Sequence, residues 1–263
     1  MKNILVPLSS SLNNKQTLQY AVDFAAQVGC DVYVTSLFKI ARAKNLPKDV
    51  SVPAIAKQQL DSCIQSVDKK NVSVESLPLE GDDIQESIEL LHQKLHIDLI
   101  ILAPQGLSVN ETLYLGEHAG AVVKRTQIPV LIVPRGYEYK PIKRILMALK
   151  SGVVKRTQKL KVLEIIKDKL QAEIRLFLVK TATFKDEDAA INPVLHSLVN
   201  SEKTTENSTI FQAVLEHLNE NEPDLLCVFK RKQGFFEKLW DDNTVKKIDF
   251  ESRIPLLVLK GAD

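Results

Sequence analysis

Two stretches constrain the fold of this chain more than any other. Asp98–Arg135 reads DLIILAPQGLSVNETLYLGEHAGAVVKRTQIPVLIVPR, and Asp224–Lys260 reads DLLCVFKRKQGFFEKLWDDNTVKKIDFESRIPLLVLK. The first has a near-continuous apolar run at each end, Asp98–Ala103 and Pro129–Pro134. Runs of Ile, Leu and Val without polar alternation are what strands buried on both faces require. Such strands belong to parallel sheets covered by helices. Between the runs lie a loop bearing Gly106 and Gly116 and a helix-length segment. Glycines ahead of a helix start let backbone N–H groups approach a phosphate. The second stretch is a weaker version of the same pattern.

The rest of the chain repeats strand and helix in turn. Ile4–Leu8 is a strand, and Ser9-Ser10-Ser11 is a polar break able to cap a helix. Leu18, Ala21, Val22, Ala25 and Ala26 make one helical face, which Gly29 ends. Val32–Phe38 is a second strand, and Ala41–Pro53, with two prolines, reads as a loop. Ile55–Val67 is a second helix; Val72–Leu77 alternates as a third, edge-ward strand. Gly81-Asp82-Asp83 opens a third helix with acidic residues at its positive end, and Ile84, Ile88, Leu91 and Leu95 line its buried face. Strands separated by helix-length segments imply right-handed crossovers and a five-stranded parallel sheet.

The second half repeats the first. Lys143-Arg144-Ile145-Leu146 matches Lys2-Asn3-Ile4-Leu5 at an offset of 141. Asp224-Leu225-Leu226 matches Asp98-Leu99-Ile100, and Ile254-Pro255-Leu256 matches Ile128-Pro129-Val130, both at 126. The second copy is thus 15 residues shorter, and the shortfall falls around Phe184–Ser208. A repeat of this length means tandem domains, since solenoid units run to about 20–50 residues. The expected domains are 1–138 and 139–263, joined at Gly136–Pro141 by a junction short enough to make them pack.

Composition narrows the function classes. The chain of 263 residues is 44% hydrophobic and 26% charged, the balance of a globular protein with a full core. A net charge of +2 supplies no field favouring nucleic acid or an anionic membrane. No apolar run approaches the roughly 20 residues that span a bilayer, and no signal peptide is readable, so the expectation is cytoplasmic. Cys30, Cys63 and Cys227 lack the close pairing that zinc or a disulfide framework needs and are expected to be reduced.

The chain resembles the universal stress protein family along essentially its whole length, as two tandem domains. The residues that carry the resemblance are ILVPL at the N-terminus, GDDIQESI at the third helix, DLIILAPQG, and LGEHAGAVVKRTQIPVLIVP, in that order and spacing. The resemblance implies two flavodoxin-like α/β domains (the adenine nucleotide alpha hydrolase-like fold), each with a five-stranded parallel sheet, the second shortened. It also implies pairing through the last strands, Pro129–Val133 and Pro255–Leu259, as a pseudo-dimer within one polypeptide. Whole chains could then pair again as a homodimer.

Nucleotide-binding members of the family carry Gly-x-x-Gly, nine residues, then Gly-Ser or Gly-Thr. They also carry an Asp after the first strand and a residue near the end of the second strand against the adenine. In this chain the first Gly falls on Ala103, the second is Gly106, Leu107–Leu115 follow, and the third is Gly116. The hydroxyl position is Glu117, the Asp position is Ser9, and the adenine-facing position is Leu37. A carboxylate about 4 Å from a phosphate charge, at an effective dielectric near 20, is repelled by roughly 4 kcal/mol, on the order of a thousandfold in affinity. In the second domain the motif positions are Phe229, Lys232, Asp242 and Asn243, Gly234 is off register, and Lys150 replaces the Asp. ATP or another adenine nucleotide, or a small anion, is therefore expected in the first domain only, and no cofactor is required.

Other constellations carry less. His92 and His96 stand four apart on the third helix without further metal ligands, and no metal site is expected. His118 follows Gly116, and Lys230-Arg231-Lys232 precedes Phe235, Phe236 and Trp240. Each could face an anion, though solvated or core-facing roles suit them better. No nucleophile elbow, Walker loop or Ser-His-Asp order is readable, so no enzyme activity and no catalytic residue are expected. The readings that follow are a stress-linked binding or regulatory module with a degenerate nucleotide-type pocket, an ATP-binding switch with slow hydrolysis, and a protein-interaction scaffold.

Overall fold

The computed structural model describes residues 1–8, 14–38, 51–81, 84–104, 116–230 and 253–261. The first half contains β1 (Asn3–Pro7), α1 (Asn14–Val28), β2 (Asp31–Phe38), α2 (Val52–Gln65), β3 (Val74–Glu80), α3 (Ile84–Leu95), β4 (Leu99–Leu102), α4 (Gly116–Arg125) and β5 (Val130–Ile132). The second contains β6 (Arg144–Leu149), α5 (Lys161–Leu170), β7 (Glu173–Lys180), α6 (Pro193–Leu198), β8 (Ser201–Glu206), α7 (Ile210–Asn221), β9 (Leu225–Lys230) and β10 (Leu256–Lys260). All strands join one ten-stranded sheet in the order β3-β2-β1-β4-β5-β10-β9-β6-β7-β8. Within each half the pairing is parallel. The halves meet where β5 and β10 pair antiparallel, with Leu131 opposite Leu257.

The apolar runs are buried on both faces because each strand alternates between two cores. Leu131, Val133, Leu257 and Leu259 face one core together with α1, α2, α5 and α6. Val130, Ile132, Leu256 and Val258 face the other with α3, α4 and α7. Both cores run through the two halves without interruption. On the first face α1 also packs directly on α5. Tyr137 and Tyr139 of the junction close the seam against Tyr20 of α1, in tilted and edge-on ring contacts at centroid separations of 6.2 and 5.4 Å.

Local departures from the sequence reading have local causes. Pro53 lies inside α2, at the first turn, where its missing N–H has no helical partner to lose; residues 39–50 of the expected loop lie outside the described residues. Ala26 is exposed, while Tyr20 and Phe24, absent from the expected face, are buried. A 15-residue helix in a two-layer groove buries a wider stripe than a strict one-face count allows. Leu37 continues β2 opposite Leu79. β3 is the edge strand as expected, and its Pro78 sits where a missing donor is tolerated. The shortened region of the second half holds a 3-10 turn at Asp186–Ala189, the six-residue α6 and the exposed β8, SEKTTE.

The repeated aspartates explain their own recurrence. Asp98 Oδ2 accepts the N–H groups of Lys2 and Asn3 at 2.6 and 3.1 Å. Asp224 Oδ2 accepts those of Lys143 and Arg144, both at 2.8 Å. Each carboxylate thus ties the start of its half's fourth strand to the start of its first. It satisfies backbone donors at the amino edge of the sheet, the end opposite the carboxyl-end loops.

Candidate functional site

The topology singles out one place in each half. Strand order reverses around β1, which is flanked by β2 and β4, and around β6, which is flanked by β7 and β9. In open parallel sheets ligands bind beyond the carboxyl ends of the strands at such a reversal. In the first half that crevice lies beyond Pro7 of β1 and Leu102 of β4. Leu8 donates its N–H to Thr35 O at 2.7 Å, so the chain leaves β1 still tied to β2. Buried Thr35 in turn donates its hydroxyl to Leu77 O at 2.6 Å, fixing β2 against β3. Arg135 Nε donates to Pro104 O at 3.2 Å, fixing the start of the glycine-bearing loop against the end of β5.

Four of the expected site residues, Leu37, Ala103, Gly116 and Glu117, have a defined backbone place in this frame. Ala103 follows β4 directly and is half-buried. Gly116 is the first residue of α4 and Glu117 the second, so the loop between β4 and α4 does lead into a helix N-terminus. Leu37 is near the carboxyl end of β2. Ser9 and Gly106 lie outside the described residues. In the second half Phe229 is buried in β9, Lys150 is half-exposed just after β6, and Lys232, Gly234, Asp242 and Asn243 lie outside the described residues, as do Phe235, Phe236 and Trp240.

α3 ends at Leu95, and His96 follows at φ +49°, donating its N–H to His92 O at 2.8 Å. His96 therefore ends the helix in a left-handed conformation instead of sharing a helical face with His92. Among the described residues no cluster of three His, Cys, Asp or Glu can hold a metal. All three cysteines are free thiols; burial pushes Cys30 up to about 11 and Cys227 higher still.

Two lysines join the halves at α4; sequence reasoning named Lys230 only within a basic run that could face an anion, and missed Lys260. Lys260, 2% exposed at the end of β10, donates from Nζ to Val123 O at 2.5 Å. Lys230, at the end of β9, donates from Nζ to Lys124 O, so its ammonium is directed at a helix end. Both carbonyls belong to the last turn of α4, where the helix leaves acceptors unpaired and carries partial negative charge. A lysine closing each strand of an apolar run in the second half was the only available signal. The helix that begins at the first-half crevice is thus anchored at its far end by the second half.

A universal stress protein of Archaeoglobus fulgidus DSM 4304 superposes with a TM-score of 0.69 at 19% identity, over 99% of this chain and 97% of its own. A functionally unknown protein of Pseudomonas aeruginosa PAO1 superposes with a TM-score of 0.61 at 14% identity, over 100% of this chain and 93% of its own. At these identities the likeness shows the fold, extending over both halves. No curated protein matches the chain. The model of the universal stress protein family matches residues 1–134. With that match over half the chain, and the reversed strand order in each half, the chain belongs to the universal stress protein family.

Proposed function

We propose that the chain is a non-enzymatic, stress-linked binding or regulatory module of the cytoplasm. Its first half holds a weakened adenine-nucleotide pocket, and its second half serves as structural support. The observation that carries the reading is α4. It begins at Gly116 beyond the carboxyl end of β4, the place for an anion, yet its second residue is Glu117. A carboxylate at that position carries the same sign of charge as a phosphate and would repel it. No helix among the described residues is long and apolar enough to cross a membrane.

In this reading Gly106 and Gly116 supply backbone N–H groups, Ser9 bonds a ribose hydroxyl, and Leu37 and Ala103 border the base and the loop. Glu117 lowers affinity for the phosphates, and a bound divalent cation offsets part of that repulsion. No side chain is assigned to bond cleavage. Titration calorimetry with ATP, ADP and AMP, with and without Mg²⁺, tests the proposal. Binding weaker than about micromolar is expected; sub-micromolar ATP binding overturns the weakened-pocket reading. Sustained ATP turnover that disappears in Gly106→Val would favour the switch instead.

A further inference from the structure

After β7 the chain returns to the loop that follows β6. It forms a 3-10 turn over Asp186–Ala189, closed by the Lys185 N–H donating to Asp188 Oδ2 at 2.9 Å. It then lies along Gly152. Gly152 N donates to Asp188 O at 2.9 Å, and Asn192 N donates to Gly152 O at 3.0 Å. Asn192 Nδ2 donates to Val154 O at 2.9 Å, while its Oδ1 accepts Val194 N at 2.9 Å and caps α6. One side chain thus fastens the returning segment, the β6 loop and a helix start. Gly152 is buried, and a Cβ there would lie 2.8 Å from Ile191 Cα and 3.0 Å from Ala190 O. Backbone atoms cannot swing aside as a side-chain tip can, so the contact requires glycine.

The place of this contact gives it meaning. The loop after β6 is one wall of the second half's strand-order reversal, the position at which α/β sheets take ligands. A backbone N–H in that wall, Gly152, faces a carbonyl of the chain itself.

We infer that residues 185–192 are an internal occupant of the second half's crevice. They take a ligand's place on the β6 loop and leave the chain with a single ligand site, in the first half. The single-site consequence rests on the function proposed above; the internal occupant does not.

Hydrogen exchange on the full chain tests the occupant without any ligand. The amides of Gly152 and Asn192 are expected to exchange at least about a hundredfold more slowly than unstructured chain. Gly152→Ala should speed both by about tenfold or more through overpacking, while the β6 amides stay protected. Asn192→Ala, which adds no bulk, should speed them as well. Unprotected amides in the parent chain, or protection unchanged in both variants, overturns the inference. Equilibrium dialysis against ATP supplies the second arm. One nucleotide per chain agrees with both proposals, and two per chain overturns the internal occupant. None at all overturns the first-half pocket alone.

Discussion

Removing the carboxylate of Asp224 should destabilise the whole chain while leaving the carboxyl-end crevices untouched. Its Oδ2 accepts two backbone N–H groups, from Lys143 and Arg144, each at 2.8 Å. A hydrogen bond to a charged group contributes about 1.5–3 kcal/mol. Water can replace the bond at exposed Lys143, whereas half-buried Arg144 is less easily solvated. Asp224→Ala should therefore cost about 2 kcal/mol, less than two full charged bonds. For a chain of this size that lowers the melting midpoint by roughly 5 °C. Asp98→Ala removes the matching bonds to Lys2 and Asn3 and should cost about the same, within about 1 kcal/mol. The two cores are continuous across the β5–β10 seam, so both variants should shift one cooperative transition, and their effects should add. Urea unfolding followed by circular dichroism measures the free energies and the number of transitions, and a thermal melt measures the midpoint shift. A loss below about 0.5 kcal/mol for either variant would refute the role assigned to the pair. Two separate transitions would refute the shared core.

Three further outcomes are expected. Glu117→Thr restores a hydroxyl at the start of α4, and calorimetry should show ATP binding tightened by about tenfold to a thousandfold, the upper figure being the unscreened repulsion; unchanged affinity would remove Glu117 as the cause of weakness. The Tyr20 hydroxyl is buried without a hydrogen-bond partner among the described residues, so Tyr20→Phe should raise the urea midpoint by the equivalent of about 1 kcal/mol. A comparable loss would mean that the hydroxyl is bonded. Burial raises Tyr20, Tyr139 (to about 12) and Cys30 (to about 11), so the fold favours their protonated forms. That contribution is complete below the ordinary pKa values near 9 and 10 and is lost as pH climbs through the raised ones. Stability should hold to about pH 9 and fall between about 9 and 12, and Cys63, the half-buried thiol, should react with a disulfide reagent before Cys30 and Cys227. A flat alkaline profile, or Cys227 reacting first, would contradict the burial argument.

The sequence by itself determined the elements and their order. Short continuous apolar runs at Leu99–Leu102 and Leu256–Leu259 fit central strands, because an edge or one-faced strand would alternate. The shift in repeat offset located the shortened region, and the Gly106–Gly116 spacing placed a loop ahead of a helix. Those are local signals, written in neighbouring residues. What tertiary structure alone decided depends on groups far apart in the chain. Asp98 and Asp224 recur visibly, but that each caps the start of a strand about 80–95 positions away follows only from parallel packing. Lys260 reads as the polar end of a strand, and only the antiparallel β5–β10 seam brings it under the last turn of α4. Gly152 reads as one loop glycine among several until Ile191 is laid against it. Burial and close approach are properties of two segments at once, which is why pattern along one segment could not contain them.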